Sequence, residues 1–288
     1  MRDVFRFLAR IAAVRLVAMG LLMATALAGV ELFHFAFGVR RLAPGLDFAA
    51  MLALCAAMTG LYAVLVRLFE RRWPRELALG KGVGWAALGI AIGFGLFCSV
   101  YAIFTAMGLV DWGGFRGLVG VGPMLLVAAV SGVGEELVFR GVIFRVLEDS
   151  LGTALAIALS AALFGLMHMA NPGATPVSTI AIALEAGAML AAAYAWSRSL
   201  WLPIGLHFAW NFTEGGVFGA AVSGGHASGL FAVTLSRTAS PLITGGAFGP
   251  EASLVAVAAC LCLAILFLIL AARAGHWRRR AFRMMLAR

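Results

Sequence analysis

Apolar runs of about 20 residues recur along this chain, separated by short stretches that hold most of its charge. A run of that length crosses a bilayer core as one α-helix. The pattern predicts spans near 16–39, 47–69, 83–108, 117–139, 151–169, 174–196, 200–222 and 253–272. The expected fold is all-α, a polytopic transmembrane bundle of about eight spans, with residues 1–288 forming a single integral membrane domain. Small residues at close-packing spacing, such as Gly89 and Gly93, let helix backbones approach each other in lipid. The longest non-apolar stretch, 223–252, is rich in Gly and Ser and contains Pro241 and Pro250. It reads as an external loop with a re-entrant or interfacial piece.

Composition agrees with this class. The 288 residues are 63% hydrophobic and 12% charged, and a soluble domain carries about twice that charged fraction. The net charge of +9 is concentrated at the two ends: Arg2, Arg6, Arg10 and Arg15 against Asp3, and six arginines from Arg273 onward. Charge that flanks terminal spans fits the positive-inside rule and attraction to anionic headgroups, so membrane lipid is the expected partner and nucleic acid is not. The loops sort the same way. With both termini in the cytoplasm, Lys and Arg fall overwhelmingly on that side, and the other side keeps Arg40, Arg41, Arg116 and Arg237. Ala26-Leu27-Ala28 resembles a signal-peptide cleavage site, but the apolar run continues to Val39, which favours an uncleaved first span. The tail with Trp277, Phe282, Met284, Met285 and Leu286 among its arginines is expected on the inner membrane surface. Cys55, Cys98, Cys260 and Cys262 fall inside spans without metal-site spacing and read as small buried hydrophobes.

Against this background, ionisable residues inside spans mark candidate chemistry, because each is costly to insert into a bilayer. Glu136 and Arg140 are four apart on one helix face and suit an ion pair. Glu135 points about 100° away, without that partner, and suits a general base. Glu135 and His168 lie roughly 23 and 26 Å from the turn at Ser150-Leu151, at a rise of 1.5 Å per residue, so antiparallel neighbours bring them to one depth. His207 and Asn211 share a face of the seventh span. His207 reaches that depth only if the 140–150 hairpin projects roughly 10 Å further into the cytoplasm, which puts the site below the cytoplasmic surface, opening inward. Glu214, seven residues after His207, is a supporting candidate. Glu185, Glu31 and His34 read as packing or lipid-interface residues.

Glu135-Glu136-x-x-x-Arg140, Phe164-x-x-x-His168 and His207-x-x-x-Asn211 together resemble the three motifs of the CPBP intramembrane proteases, the family of CAAX prenyl endopeptidases and of Abi or bacteriocin-immunity proteins. The resemblance covers roughly 117–215, the expected catalytic core. It implies peptide-bond hydrolysis by activated water inside a helical cavity. In one mechanism Glu135 is the base, His168 helps hold the water, and His207 and Asn211 donate to the oxyanion. In the other, Glu136, His168 and His207 ligate zinc and the second glutamate is the base. Asn211 is a poor zinc ligand and a good oxyanion donor, which favours the first. The resemblance implies a membrane-associated protein or peptide as substrate, prenylated if the role is CAAX processing. The setting it suggests is a bacterial inner membrane. Two rivals remain from the residues alone: a non-catalytic membrane scaffold or immunity factor, and a proton-coupled transporter.

Overall fold

The structure, a computed structural model, describes residues 12–37, 44–236 and 238–279. The arginines at 2, 6 and 10 and the tail beyond 279 lie outside them, as do the side chains of Glu31 and His34. Among the described residues eight long helices follow in order. They are α1 (Ala12–Phe37), α2 (Pro44–Glu70), α3 (Leu79–Ala106), α4 (residues 121–151), α5 (Thr153–Met167), α6 (residues 176–197), α7 (residues 201–217) and α8 (Leu254–Arg273). Seven are long and apolar enough to cross a membrane. The exception is α7, an 11-residue α-helix continued by 6 residues of π-helix, so the predicted span 200–222 ends early at Val217. The chain is an integral, multi-pass membrane protein with an all-α bundle.

One helix runs well past its predicted end. Residues 140–150, read as a connecting hairpin, are helical as far as Leu151. Gly152, at φ +80, then reverses the chain into α5. Among the described residues the α-helical hydrogen-bond pattern is interrupted three times by π-helix, at Leu137–Phe144 in α4, Ala183–Ala188 in α6 and Phe212–Val217 in α7. A π turn rotates side chains relative to a regular helix and releases a backbone carbonyl, and such turns frequently occur at functional sites.

Glycines set the tightest helix contact. A Cβ on Gly89 or Gly93 of α3 would sit 2.3 or 2.4 Å from a carbonyl oxygen of α7, and one on Gly205 of α7 would sit 2.4 Å from Ala86 O of α3. Backbones meet directly here, as small residues allow in lipid. Antiparallel strands β1 (Val110–Phe115) and β2 (Phe231–Leu235) pair at one end of the bundle, a feature the hydropathy pattern did not predict. The 223–252 stretch therefore contains β2, a helical turn at Pro241–Thr244 and the 3-10 turn Pro250–Ala252. It is partly buried: Phe248, Pro250 and Glu251 are all packed inside.

The other end of the bundle carries the charge. Arg145 of α4 clasps Glu70 with two hydrogen bonds of 2.7 and 2.6 Å. Arg72 bonds both Glu70 and Glu76, and Tyr62 donates to Glu76 at 2.5 Å. Burial acts to raise the Glu76 pKa, but the Arg72 hydrogen bonds, the Arg145 charge and the Tyr62 hydroxyl outweigh it and hold the carboxyl below its usual range. Glu148 accepts from Arg198 and Thr153 and lies 3.6 Å from Arg278.

Candidate active site

Glu136 closes the α-helical part of α4, and the π segment begins at the next residue. Its carboxylate is fully buried, and one oxygen, Oε1, serves two partners. Arg140 Nη1 donates to it at 2.7 Å and His207 Nδ1 approaches to 3.0 Å. The Glu136–Arg140 pair expected from spacing is present, and it links the first motif to the third. Arg140 is 1% exposed, which is tolerable only because its charge is balanced and both Nη atoms donate, although Nε is buried without a partner. Its Nη2 donates to Ala186 O at 2.8 Å and Gly187 O at 3.0 Å, carbonyls of the π segment in α6. Its guanidinium carbon also lies 4.8 Å from the centre of the Phe164 ring.

Phe164 is the hinge of the arrangement. Its ring centre is 4.7 Å from that of His168 and 6.2 Å from that of His207. His168, at the end of α5, holds Phe164 O with Nδ1 at 2.8 Å. A carbonyl only accepts, so Nδ1 carries the proton and Nε2 of the neutral ring presents a lone pair. His207 Nδ1 is likewise assigned as donor to the Glu136 carboxylate, which leaves its Nε2 for a ligand. Asn211, one turn further along α7, donates to Ser131 Oγ of α4 at 3.2 Å.

His168, His207 and Asn211 line one cavity together with Phe164, Glu185 and Glu251. The cavity offers ≈ 20 Å³ to the centre of a water molecule, and roughly 10–15 Å³ suffices to hold one. Ser223 and Glu251 line it from the 223–252 segment. Glu135 is half-buried and is not among the lining residues. Its expected partnership with His168 is not formed: its Oε2 is buried with no hydrogen-bond partner, and it is Glu136 that touches an imidazole. The π segment that starts two residues after Glu135 is what a regular-helix depth count from Ser150 omits. Glu135 still lies close enough for its charge to act on Arg140 and His207.

Glu214, Glu185 and Glu251 were weighed lightly or missed. Glu214 is fully buried on the π segment of α7, with Oε1 3.3 Å from Glu251 N and Oε2 without a partner. Glu185 is 1% exposed, so it is no lipid-interface residue, and Cys260 Sγ donates to it at 3.5 Å. Glu251 accepts from Ser223 N at 2.7 Å and Ser223 Oγ at 2.8 Å. Its only sequence signal was an acid beside Pro250 in a stretch read as external. The zinc arrangement is not assembled. Among the described residues no three His, Cys, Asp or Glu side chains are gathered closely enough to hold a metal ion. Glu136 Oε1 is already shared between a guanidinium and an imidazole.

The segment that supplies all three motif sets can be compared with known proteins. Residues 116–213 match the family described as type II CAAX prenyl endopeptidase Rce1-like. The match covers roughly a third of the chain and is consistent with the CPBP proteases that the motifs resemble. It supports a CAAX-type intramembrane protease, a hydrolase working in the membrane on a peptide substrate. No curated protein and no solved structure matches the chain.

Proposed function

We propose that this protein is an intramembrane endopeptidase that hydrolyses a peptide bond of a membrane-associated protein or peptide with glutamate-activated water. One observation carries the reading: residues from three separate motifs converge around Phe164, with Glu136, Arg140, His207 and His168 in a continuous chain of contacts. An ion pair that served only to neutralise charge would need neither imidazole. The match of 116–213 to a prenyl endopeptidase family points the same way.

In this reading water sits in the cavity between the two imidazoles. Glu135, whose Oε2 has no partner, lies outside the lining of the closed cavity and accepts the proton of the attacking water once the wall has moved to admit substrate. The lone pair on His168 Nε2 holds and orients that water. Glu136 fixes the tautomer and angle of His207 and supports the positive charge that develops there. His207, protonated on both nitrogens against the Glu136 carboxylate, and the free N–H of Asn211 donate to the oxyanion of the tetrahedral intermediate. Arg140 positions Glu136 and touches no reacting atom. The cavity as it stands admits a water and no peptide, so substrate entry requires its wall to move. The Arg-rich end faces the cytoplasm, and the membrane is a bacterial inner membrane.

The test compares protein termini in membranes of cells expressing wild type or Glu135→Gln. New termini that depend on Glu135 support the reading. Identical profiles, with the variant still complementing a deletion, would replace it with a scaffold or immunity role.

A further inference from the structure

The cavity contains more acid than hydrolysis uses. Glu185 from α6 and Glu251 from the segment before α8 both line it. Glu214 of α7 adjoins them through Glu251 N, and its Oε2 is fully buried without a partner. Among the described residues, none of the three has a lysine or arginine in an ion pair. Carboxyl groups in an apolar interior are costly to ionise without a cation, and the one basic side chain among the described residues whose charge acts on the cluster is His168, through Glu251.

An inventory of hydrogen-bonding groups gives the same answer. Both imidazoles have Nδ1 engaged, which leaves Nε2 of His168 as a lone-pair acceptor, while Nε2 of His207 is taken by the oxyanion. Glu185 and Glu251 add carboxyl oxygens. On the donor side are one N–H of Asn211 and Trp210 Nε1, a buried atom with no partner on a side chain that lines the cavity. Counted as carboxylates, the acids make acceptors exceed donors and the formal charge negative; while they hold protons they are O–H donors, and an entering cation takes the place of those protons. The group that fits is compact, cationic and rich in N–H, as a primary ammonium is with its three donors.

We infer that Glu185 and Glu251, backed by Glu214, form a subsite for a cationic group, an ammonium, on the substrate next to the scissile bond. This rests on the peptidase reading of the same cavity. The pair binds the cation by charge-assisted hydrogen bonds and so places the scissile carbonyl against His207 and Asn211. The cation enters with the peptide, replacing protons or water now held by the cluster.

The Glu135-dependent termini supply the first check: lysine or a free amine is enriched within two residues of the cut. A peptide containing such a cut is then given to the full-length enzyme in lipid vesicles, alongside the same peptide with norleucine in place of the lysine. Wild type is expected to prefer the lysine peptide by at least about tenfold in kcat/KM, mainly through KM. Glu251→Gln and Glu185→Gln each reduce the preference to near unity while the norleucine peptide is still cut. Changing the peptide needs no variant, so a misfolded variant does not obscure the result. Glu135-dependent cutting with no preference for a cation overturns the subsite and leaves the peptidase reading intact. An equal fall in kcat for both peptides in the variants also overturns it, because it shows a proton-transfer role. No Glu135-dependent cutting at all sinks the peptidase reading itself.

Discussion

Two groups of buried carboxylates divide this molecule. At the Arg-rich end, Glu70, Glu76 and Glu148 have both oxygens engaged by arginines, by Tyr62 or by Thr153. In the interior, Glu135, Glu136 and Glu214 each keep an oxygen that is buried and unpaired. A buried carboxylate with every lone pair used fixes geometry and has nothing left for a ligand. One with an oxygen left over is costly to the fold unless a substrate, a water or a proton takes it. The first group is expected to govern stability and the second activity.

The largest effect separates the two at once. Glu135→Gln is expected to lower turnover of a cleaved peptide by about 10² to 10⁴-fold, the usual contribution of a general base. It leaves thermal stability unchanged or higher, since it removes an unpaired buried acid. A fall in melting temperature with turnover retained would move Glu135 into the structural group. Arg140→Met tests the interior carboxylate that does have a cation. It leaves Glu136 and two carbonyls without their donors, which costs about 3–5 kcal/mol when one partner of a buried pair is lost. Denaturation in detergent should show this loss, and activity should fall with it as His207 loses its fixed angle. Turnover lost with stability unchanged would show that Arg140 touches the reacting atoms.

Much of this was legible in the sequence, for a physical reason. Hydropathy located the seven helices long enough to cross because a bilayer demands long apolar runs, and it found the position of the shorter α7 but not its early end, while Glu136–Arg140 followed from helical spacing alone. The π segments were not legible. Nothing local in Leu137–Phe144 or Phe212–Val217 distinguishes a π turn from an α turn, yet the first lies between Ser150 and the Glu135-Glu136 pair and shifts any side-chain count made back from that turn. Nor was Glu251 legible, because a Gly-, Ser- and Pro-rich stretch looks external whether or not it folds back into the bundle. The strands failed for a related reason. Six residues of β1 with two glycines carry no alternating pattern, and their pairing depends on β2 more than a hundred residues away.

Glu148→Gln probes the paired group by the same logic. The carboxylate is held by Arg198 and Thr153 with Arg278 close by, tying α4 to α5, to the end of α6 and to the segment after α8. The neutral amide leaves Arg198 uncompensated, and about 2–3 kcal/mol of stability should be lost, less than the roughly 3–5 kcal/mol for a fully buried pair because Arg198 is partly exposed. Turnover per folded molecule should be unchanged. A selective loss of turnover would show that the Arg-rich end communicates with the cavity.

The smallest effect is a pH dependence, and its sign follows from Glu76. Its folded pKa lies below the ordinary carboxylate value because Arg72, Arg145 and Tyr62 together outweigh burial. A depressed carboxylate pKa contributes stability that is present above the unfolded value, near 4.5, and is lost as pH falls through the folded one. Melting temperature in detergent should therefore hold steady from pH 7 to about 5 and decline below that. Glu76→Gln should start lower at pH 7 and show a shallower decline, because the group that titrates has been removed. The fluorescence of Trp201 is a suitable local readout, since its indole N–H donates to Leu77 O at 3.1 Å, beside Glu76. If wild type and Glu76→Gln decline in parallel below pH 5, acid sensitivity arises elsewhere among the carboxylates. The paired group would then owe its stability to packing around the ions more than to the ions themselves.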